Sequence, residues 1–224
     1  MILMEVSHND EHPLMHQIKT FPLIKQPDAI TCGPVSALMV LNRYGFDVEL
    51  NQVKEKTKTE WLVYKEQSIG MTSPDYISRT LGEFGVKSRM KSGSMKLLKH
   101  YVSENKPVIV LLRSSGTTWH YVVVIGYNEF MVTVADPSLG RKREMLNKDF
   151  IGAWSFSTDM NGKSVFAKCR SCQGTGRWIE NFGPLGICEI CSGTGNQPDY
   201  GSVLLRTADI YPFTMIVPKI GVRE

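Results

Sequence analysis

"KPVIVLLRSSGTTWHYVVVIGYNEFMVTVADPSLG", residues 106–140, decides how the chain is read. "KPVIVLL" is a short β-branched run behind a proline. After a polar loop, "HYVVVIGY", "NEF" and "MVTVADPSLG" read as strand, tight connection, strand. Three apolar runs this short, joined by turns, make an antiparallel sheet. His120 opens one strand and Asp136 closes the next. If the connection is Tyr127 to Glu129, His120 lies directly across from Asp136 on the same face. Cross-strand Cβ atoms then sit about 4.5–5.5 Å apart, close enough for a carboxylate to orient an imidazole.

Upstream of this sheet the period changes from two to helical. In "QPDAITCGPVSALMVLNRYG", residues 26–45, Val35, Leu38, Met39 and Leu41 or Asn42 fall on successive turns; Pro34 suits the first turn and Gly45 the C-terminal cap. "TSPDYISRTLGEFG" repeats the pattern, with Thr72 or Ser73 as N-cap, Pro74 at the first position and Gly85 as the stop. "SMKLLKHYVSENK" is a third helix. Before them, "FPLI" at 21–24 reads as a short strand. His8, His12 and His16 recur every four residues, but Pro13 breaks the helix that would align them for a metal, so they read as a solvated tail. Helices first and an antiparallel sheet later make an α+β protein.

Cys32 sits where the first helix begins. The thiolate is the reactive form of cysteine, and the unpaired N–H groups of a helix N-terminus favour an anion. A nucleophile also needs a base, an orienter for the base and a donor for the developing oxyanion. His120, Asp136 and the carboxamide of Gln26, six positions before Cys32, offer these. Each has a structural reading when taken singly: a small buried hydrophobe, a core histidine, an Asp-Pro turn. Their joint order along the chain favours chemistry.

Composition sets the frame. The chain has 224 residues, of which 42% are apolar and 21% charged, as in ordinary globular proteins. No apolar run approaches the roughly 20 residues of a membrane-spanning helix. "MILMEVSHNDEHPLMHQ" turns polar too early for a signal-peptide core, which points to a reducing cytoplasm. The net charge of +4 is mild and dispersed, and does not argue for nucleic acid.

The order of these motifs resembles the double-glycine leader peptidases of bacteriocin exporters, cysteine peptidase family thirty-nine, which are papain-like. In that family a Gln precedes the Cys-Gly by this distance and the helix ends in Tyr-Gly. A Lys/Arg-Pro-apolar strand precedes the catalytic histidine, and Asp-Pro-x-x-Gly follows it. "FIGAWS", 150–155, matches the family's later Phe and Trp. Where the family commonly has an acidic residue just before the cysteine, this chain has Thr31. The resemblance covers roughly residues 20–155 and implies a papain-like fold. It also implies Cys32 as nucleophile, His120 as base, Asp136 as its orienter and Gln26 as oxyanion donor.

Residues 159–201 change character. "CRSCQGTG" and "CEICSGTG" are two copies of Cys-x-x-Cys-x-Gly-x-Gly, with 15 residues between Cys172 and Cys188. Four thiolates at this spacing suit a closed, tetrahedral structural Zn²⁺ held by Cys169, Cys172, Cys188 and Cys191; disulfides or an iron centre are the alternatives. The repeat resembles half of the cysteine-rich region of DnaJ-type chaperones. "GKSVFAK" enters the module and "GSVLLRT" leaves it, so the metal would cap a two-stranded ribbon. A zinc ribbon that binds nucleic acid would prefer clustered basic and aromatic residues; Arg170, Arg177 and Trp178 are explained as well by a solvated loop. The expected organisation is an N-terminal extension (1–19), a peptidase domain (20–158), the zinc-binding module (159–201) and C-terminal strands returning to the main sheet (202–224).

The expected function is cleavage of a peptide or isopeptide bond in a peptide or protein substrate. One alternative is a non-catalytic peptide-binding adaptor that uses the zinc module to dock a protein partner. Another is an acyltransferase or deamidase, because water and amine attack the same thioester.

Overall fold

A computed structural model describes residues 16–64, 67–115, 118–154, 166–168, 196–198 and 214–219. Strand β1 (His16–Gln17) is followed by an extended segment, then by helices α1 (Cys32–Arg43) and α2 (Leu50–Lys56). A hairpin of β2 (Glu60–Tyr64) and β3 (Gln67–Met71) leads into α3 (Pro74–Glu83), β4 (Ser88–Ser92) and α4 (Met95–Ser103). The sheet strands β5 (Val108–Ser115), β6 (Thr118–Tyr127), β7 (Met131–Asp136) and β8 (Arg141–Leu146) come next, then α5 (Asn147–Trp154). Three short strands complete the described chain: β9 (Phe166–Lys168), β10 (Asn196–Pro198) and β11 (Thr214–Pro218). Helices and an antiparallel sheet are thus combined as expected. The sequence reading passed over α2, the β2–β3 hairpin, β4, β8 and α5.

Local chemistry explains the helix ends. Ser94 accepts a hydrogen bond from the Leu97 N–H and starts α4. Glu49 and Gln52 form a reciprocal capping box on α2. Ser73 stands at the N-cap position of α3 without a side-chain cap hydrogen bond, Pro74 fits the first turn, and Gly85 follows at φ +100°, a left-handed conformation that a Cβ would disfavour.

The main sheet runs β4-β11-β5-β6-β7-β8, with β1 pairing alongside the far end of β6. Tyr121 to Ile125 are all buried, which requires cover on both faces of β6. Helices α1 and α4 pack against that strand, and α5 packs against β5. "FPLI" forms no strand; Phe21 is buried as a core anchor, and the strand lies earlier, at His16–Gln17. His16 is exposed, as expected, but belongs to β1 and not to a tail: its ring stacks on Tyr127 at 5.2 Å, while His8 and His12 lie outside the described residues.

β11 is inserted between β4 and β5, 60 residues beyond the end of α5. The junction is held by Trp154, fully buried against Phe150, whose Nε1–H donates to the carbonyl of Thr214 at 2.9 Å. Between these two points, β9 and β10 pair antiparallel, with Lys168 opposite Asn196. The ribbon's leaving strand is therefore "NQP", closer to the cysteines than "GSVLLRT", which lies outside the described residues together with Cys169, Cys172, Cys188 and Cys191.

Candidate active site

The approach to Cys32 is an Asx turn. Asp28 Oδ1 accepts from the N–H groups of Ile30 (3.0 Å) and Thr31 (2.9 Å), bending the extended segment so that α1 starts at Cys32. Val35 N–H then closes the first turn onto the Thr31 carbonyl at 2.9 Å. Cys32 occupies the first helical position, is partly buried and carries a free thiol. Gly33 allows Thr72 to close over the helix end: a Cβ there would lie 2.9 Å from Thr72 Cβ. Thr72 is itself fixed by Thr59 Oγ1 at 2.7 Å, and its carbonyl accepts from the buried Tyr121 hydroxyl at 2.8 Å. Burial and the nearby Cys32 charge push the Tyr121 phenol well above its usual value, so it stays a neutral donor.

Gln26 lies on the other side of this turn. Its backbone N–H donates to the Pro137 carbonyl at 2.8 Å, tying it to the residue after Asp136. Its Nε2 donates to the Asp28 carbonyl at 2.6 Å, which leaves one Nε2 hydrogen available. Oε1 is buried without a hydrogen-bond partner.

His120 and Asp136 meet, but not by the expected register. Near the turn Tyr127 pairs with Val132 and Gly126 with Thr133, whereas Val124 pairs with Val134 and Val123 with Ala135. Ile125 is the extra residue of a β-bulge, and its carbonyl is taken by the Ile18 N–H at 2.7 Å. Continued towards the site, the inner register sets Asp136 across from Val122, so His120 is diagonal to it and not opposite. The turn differs too: Asn128 N–H bonds to the Met131 carbonyl at 2.9 Å, and Asn128 Oδ1 accepts from Phe130 and Met131 N–H. Without the bulge, the turn-side register would put Asp136 across from Val123, on the face opposite His120. The bulge restores the shared face. Diagonal neighbours are about 7–8 Å apart at Cα, within reach of an imidazole and a carboxylate.

The resulting contact is short. His120 Nε2 lies 2.6 Å from Asp136 Oδ1, with the two side chains 14% and 2% exposed. The same Oδ1 accepts from the Ser138 backbone N–H (3.0 Å) and hydroxyl (2.7 Å). Arg143 Nε stands 3.1 Å from Oδ2, at an angle that makes it a charge contact and not a hydrogen bond. With Nε2 on the carboxylate, Nδ1 is the ring nitrogen left for Cys32. Burial alone would lower the His120 pKa, but the Asp136 hydrogen bond, the Cys32 hydrogen bond and both negative charges raise it to about 9. Burial pushes Asp136 up, yet hydrogen bonds from His120 and Ser138 and the charges of His120 and Arg143 bring it down to about 2. A cysteine, a protonated imidazole and a buried carboxylate are thus connected at a helix N-terminus.

Comparison with known proteins identifies the frame. The model of the peptidase C39-like family matches residues 18–160. The chain belongs to the peptidase C39-like family. Membership makes it a peptidase of the cysteine class by family. β11 lies beyond the matched span but inside the same sheet. An uncharacterized protein of Methanothermobacter thermautotrophicus is 28% identical over 133 residues, 58% of this chain and 83% of that protein. Among solved structures, the chain is similar to the peptidase domain of Streptococcus ComA, a bi-functional ABC transporter involved in a quorum-sensing pathway. That match has a TM-score of 0.51 and 24% identity, over 60% of this chain and 93% of the other. A protein described as a C39-like peptidase from Bacillus anthracis has a TM-score of 0.53 and 16% identity, over 63% and 92%. At these identities the solved structures speak for the fold.

Sequence reasoning missed Thr72, Tyr121, Ser138 and Arg143. Ser138, two residues after Asp136, carried a local signal, since Asx and Ser turns use that spacing. The others join the site from elements far away in sequence. Among the described residues there is no group of three or more His, Cys, Asp or Glu able to hold a metal, and no helix long and apolar enough to cross a membrane.

Proposed function

We propose that the protein is a papain-like cysteine peptidase that cleaves a peptide or isopeptide bond through an acyl-thioester on Cys32. The observation that carries this reading is the His120 Nε2–Asp136 Oδ1 contact at 2.6 Å, which turns Nδ1 to the cysteine at the start of α1. The Cys32 sulfur attacks the scissile carbonyl carbon, and its π electrons move to oxygen. The free Nε2 hydrogen of Gln26 and the unpaired N–H of the first helical turn stabilise that oxyanion. The His120 imidazolium gives its Nδ1 proton to the leaving amine as the C–N bond breaks. His120 then takes one proton from the water that attacks the thioester carbonyl; the C–S bond breaks and releases the acid and the Cys32 thiolate beside the re-formed imidazolium. Asp136 keeps its charge throughout and holds the ring.

The four cysteines of the 169–191 segment are proposed to hold one structural Zn²⁺ in a reducing cytoplasm. The β9–β10 pairing supports this, because it brings together the chain on either side of the segment.

The experiment is labelling in lysate with an electrophilic thiol probe, with mass spectrometry of new peptide N-termini, comparing wild type with Cys32→Ala. Probe adducts on Cys32 and N-termini that depend on it are expected. Labelling unaffected by Cys32→Ala, with no Cys32-dependent N-termini, refutes the reading.

A further inference from the structure

The Asp136 carboxylate faces a second cation that the proposed reaction scheme does not use. β7 and β8 pair so that Val134 lies opposite Arg143, which puts Arg143 on the same face as Asp136. Its Nε stands 3.1 Å from Oδ2, while Oδ1 is taken by His120 and by both donors of Ser138. The carboxylate's direction is therefore held from the Oδ1 side. Arg143 approaches without hydrogen-bond geometry and contributes charge. The carboxylate is 2% exposed and the Arg143 side chain 39%, so the carboxylate end of the contact is dry while water screens part of the guanidinium charge. The direct cross-strand partner of Asp136 is Arg141, which is exposed to solvent and is not the residue in contact.

We propose that Arg143 is a positioning residue acting through Asp136: it shares the carboxylate's negative charge and so limits how firmly His120 retains its proton. This rests on the reading of His120 and Asp136 as the acid–base pair of the site. The device has a chemical purpose. An imidazolium held too firmly is a poor acid towards the leaving amine and is slow to return as the base for deacylation. Among the described residues, Cys32 on α1 is the other titratable group acting on His120; Tyr121, next to His120 in β6, is neutral and interacts with Cys32, not with the pair.

The test measures titration of His120 and Asp136 by NMR, in the Cys32→Ser protein and without substrate. Arg143→Met is expected to move both upwards, each on the order of half to one pH unit for one charge removed at this range. Arg143→Lys, which keeps the charge, should leave both near their starting values. In the Cys32-intact enzyme, Arg143→Met should move the alkaline limb of kcat/KM up by a similar amount.

A purely structural role gives a different pattern. A loosened site moves Asp136 up towards 3.8 and His120 down towards 6.5, in opposite directions. That outcome, or no movement of either group, overturns the proposal, and Arg143→Lys shows whether the fold survives. Titrations that move as expected in a protein lacking Cys32-dependent cleavage would leave the charge coupling standing while removing the peptidase reading.

Discussion

Asp136→Asn changes one charge at the centre of the site. In the wild type His120 titrates at about 9, with the Asp136 hydrogen bond as the largest cause raising it against burial. At pH 7.5 about 97% of a group with that pKa is protonated, against about 9% for one at 6.5, from the ordinary titration curve. The whole rise from 6.5 corresponds to about 3 kcal/mol, shared between Asp136 and Cys32.

Asparagine also fails geometrically. If its oxygen faces His120 Nε2 and Ser138, its NH₂ points at the Arg143 Nε–H, donor against donor. If it flips, the NH₂ faces Nε2, forces the proton onto Nδ1 and removes the acceptor that the Ser138 donors need. We expect the His120 pKa to drop by at least one unit, and kcat/KM at pH 7.5 to fall roughly 10- to 100-fold.

Stability should follow by linkage. The raised His120 pKa contributes stability that is complete below about 6.5 and lost as pH rises through about 9. The depressed Asp136 pKa contributes stability present above 3.8 and lost as pH falls through about 2. The stability gap between wild type and variant should therefore be widest between about pH 4 and 6.5, and narrow on either side. The assays are NMR titration of the imidazole and urea melts across pH. His120 titrating within about 0.3 unit of wild type in Asp136→Asn would refute the electrostatic reasoning, since one unit is 1.36 kcal/mol.

Three further outcomes are expected. Iodoacetamide alkylation of Cys32 near pH 6.5 should slow at least about tenfold in His120→Ala, because the imidazole paired with the attacking sulfur is gone; equal rates would disprove the pairing. Gly33→Ala should cost about 1–3 kcal/mol in denaturant melts, because the new Cβ meets Thr72 2.9 Å away beside the nucleophile; an unchanged midpoint would show that Thr72 yields freely. Protein purified under reducing conditions should contain one zinc per chain by elemental analysis, and chelation should raise amide exchange in the 169–195 segment while α1 stays protected. A metal-free preparation would refute the site, and equal deprotection of α1 would show that the segment and the catalytic region unfold together.

What could be read from the chain alone was whatever depends on neighbours along it. The Thr72 or Ser73 cap with Pro74 and Gly85, the helical period after Cys32 and the β-branched runs of β5 to β7 are local, because capping and amphipathicity involve residues within about four positions. Cys32 at a helix N-terminus follows from Pro34 and the turn before it, and needs no knowledge of the sheet.

The short exposed strands β4 and β8 were not legible. β8, "RKREML", is an edge strand whose charged residues carry little apolar signal; pairing with β7 makes it a strand. β11 is short and fully buried, and its place comes from pairing with β4 and β5 and from the Trp154–Thr214 contact, all with residues far away in sequence.

The meeting of His120 with Asp136 divides along the same line. Sequence put the two at matching ends of neighbouring strands, which is as far as alternation can go. Whether they share a face turned on one extra residue, Ile125, whose carbonyl is satisfied by Ile18 from the far N-terminal side. Arg143 reached the carboxylate only because β8 folds back in one particular register. A bulge or a register shift of one residue moves side chains to the other face of a sheet without changing the apolar pattern enough to be seen, so tertiary pairing had to decide it.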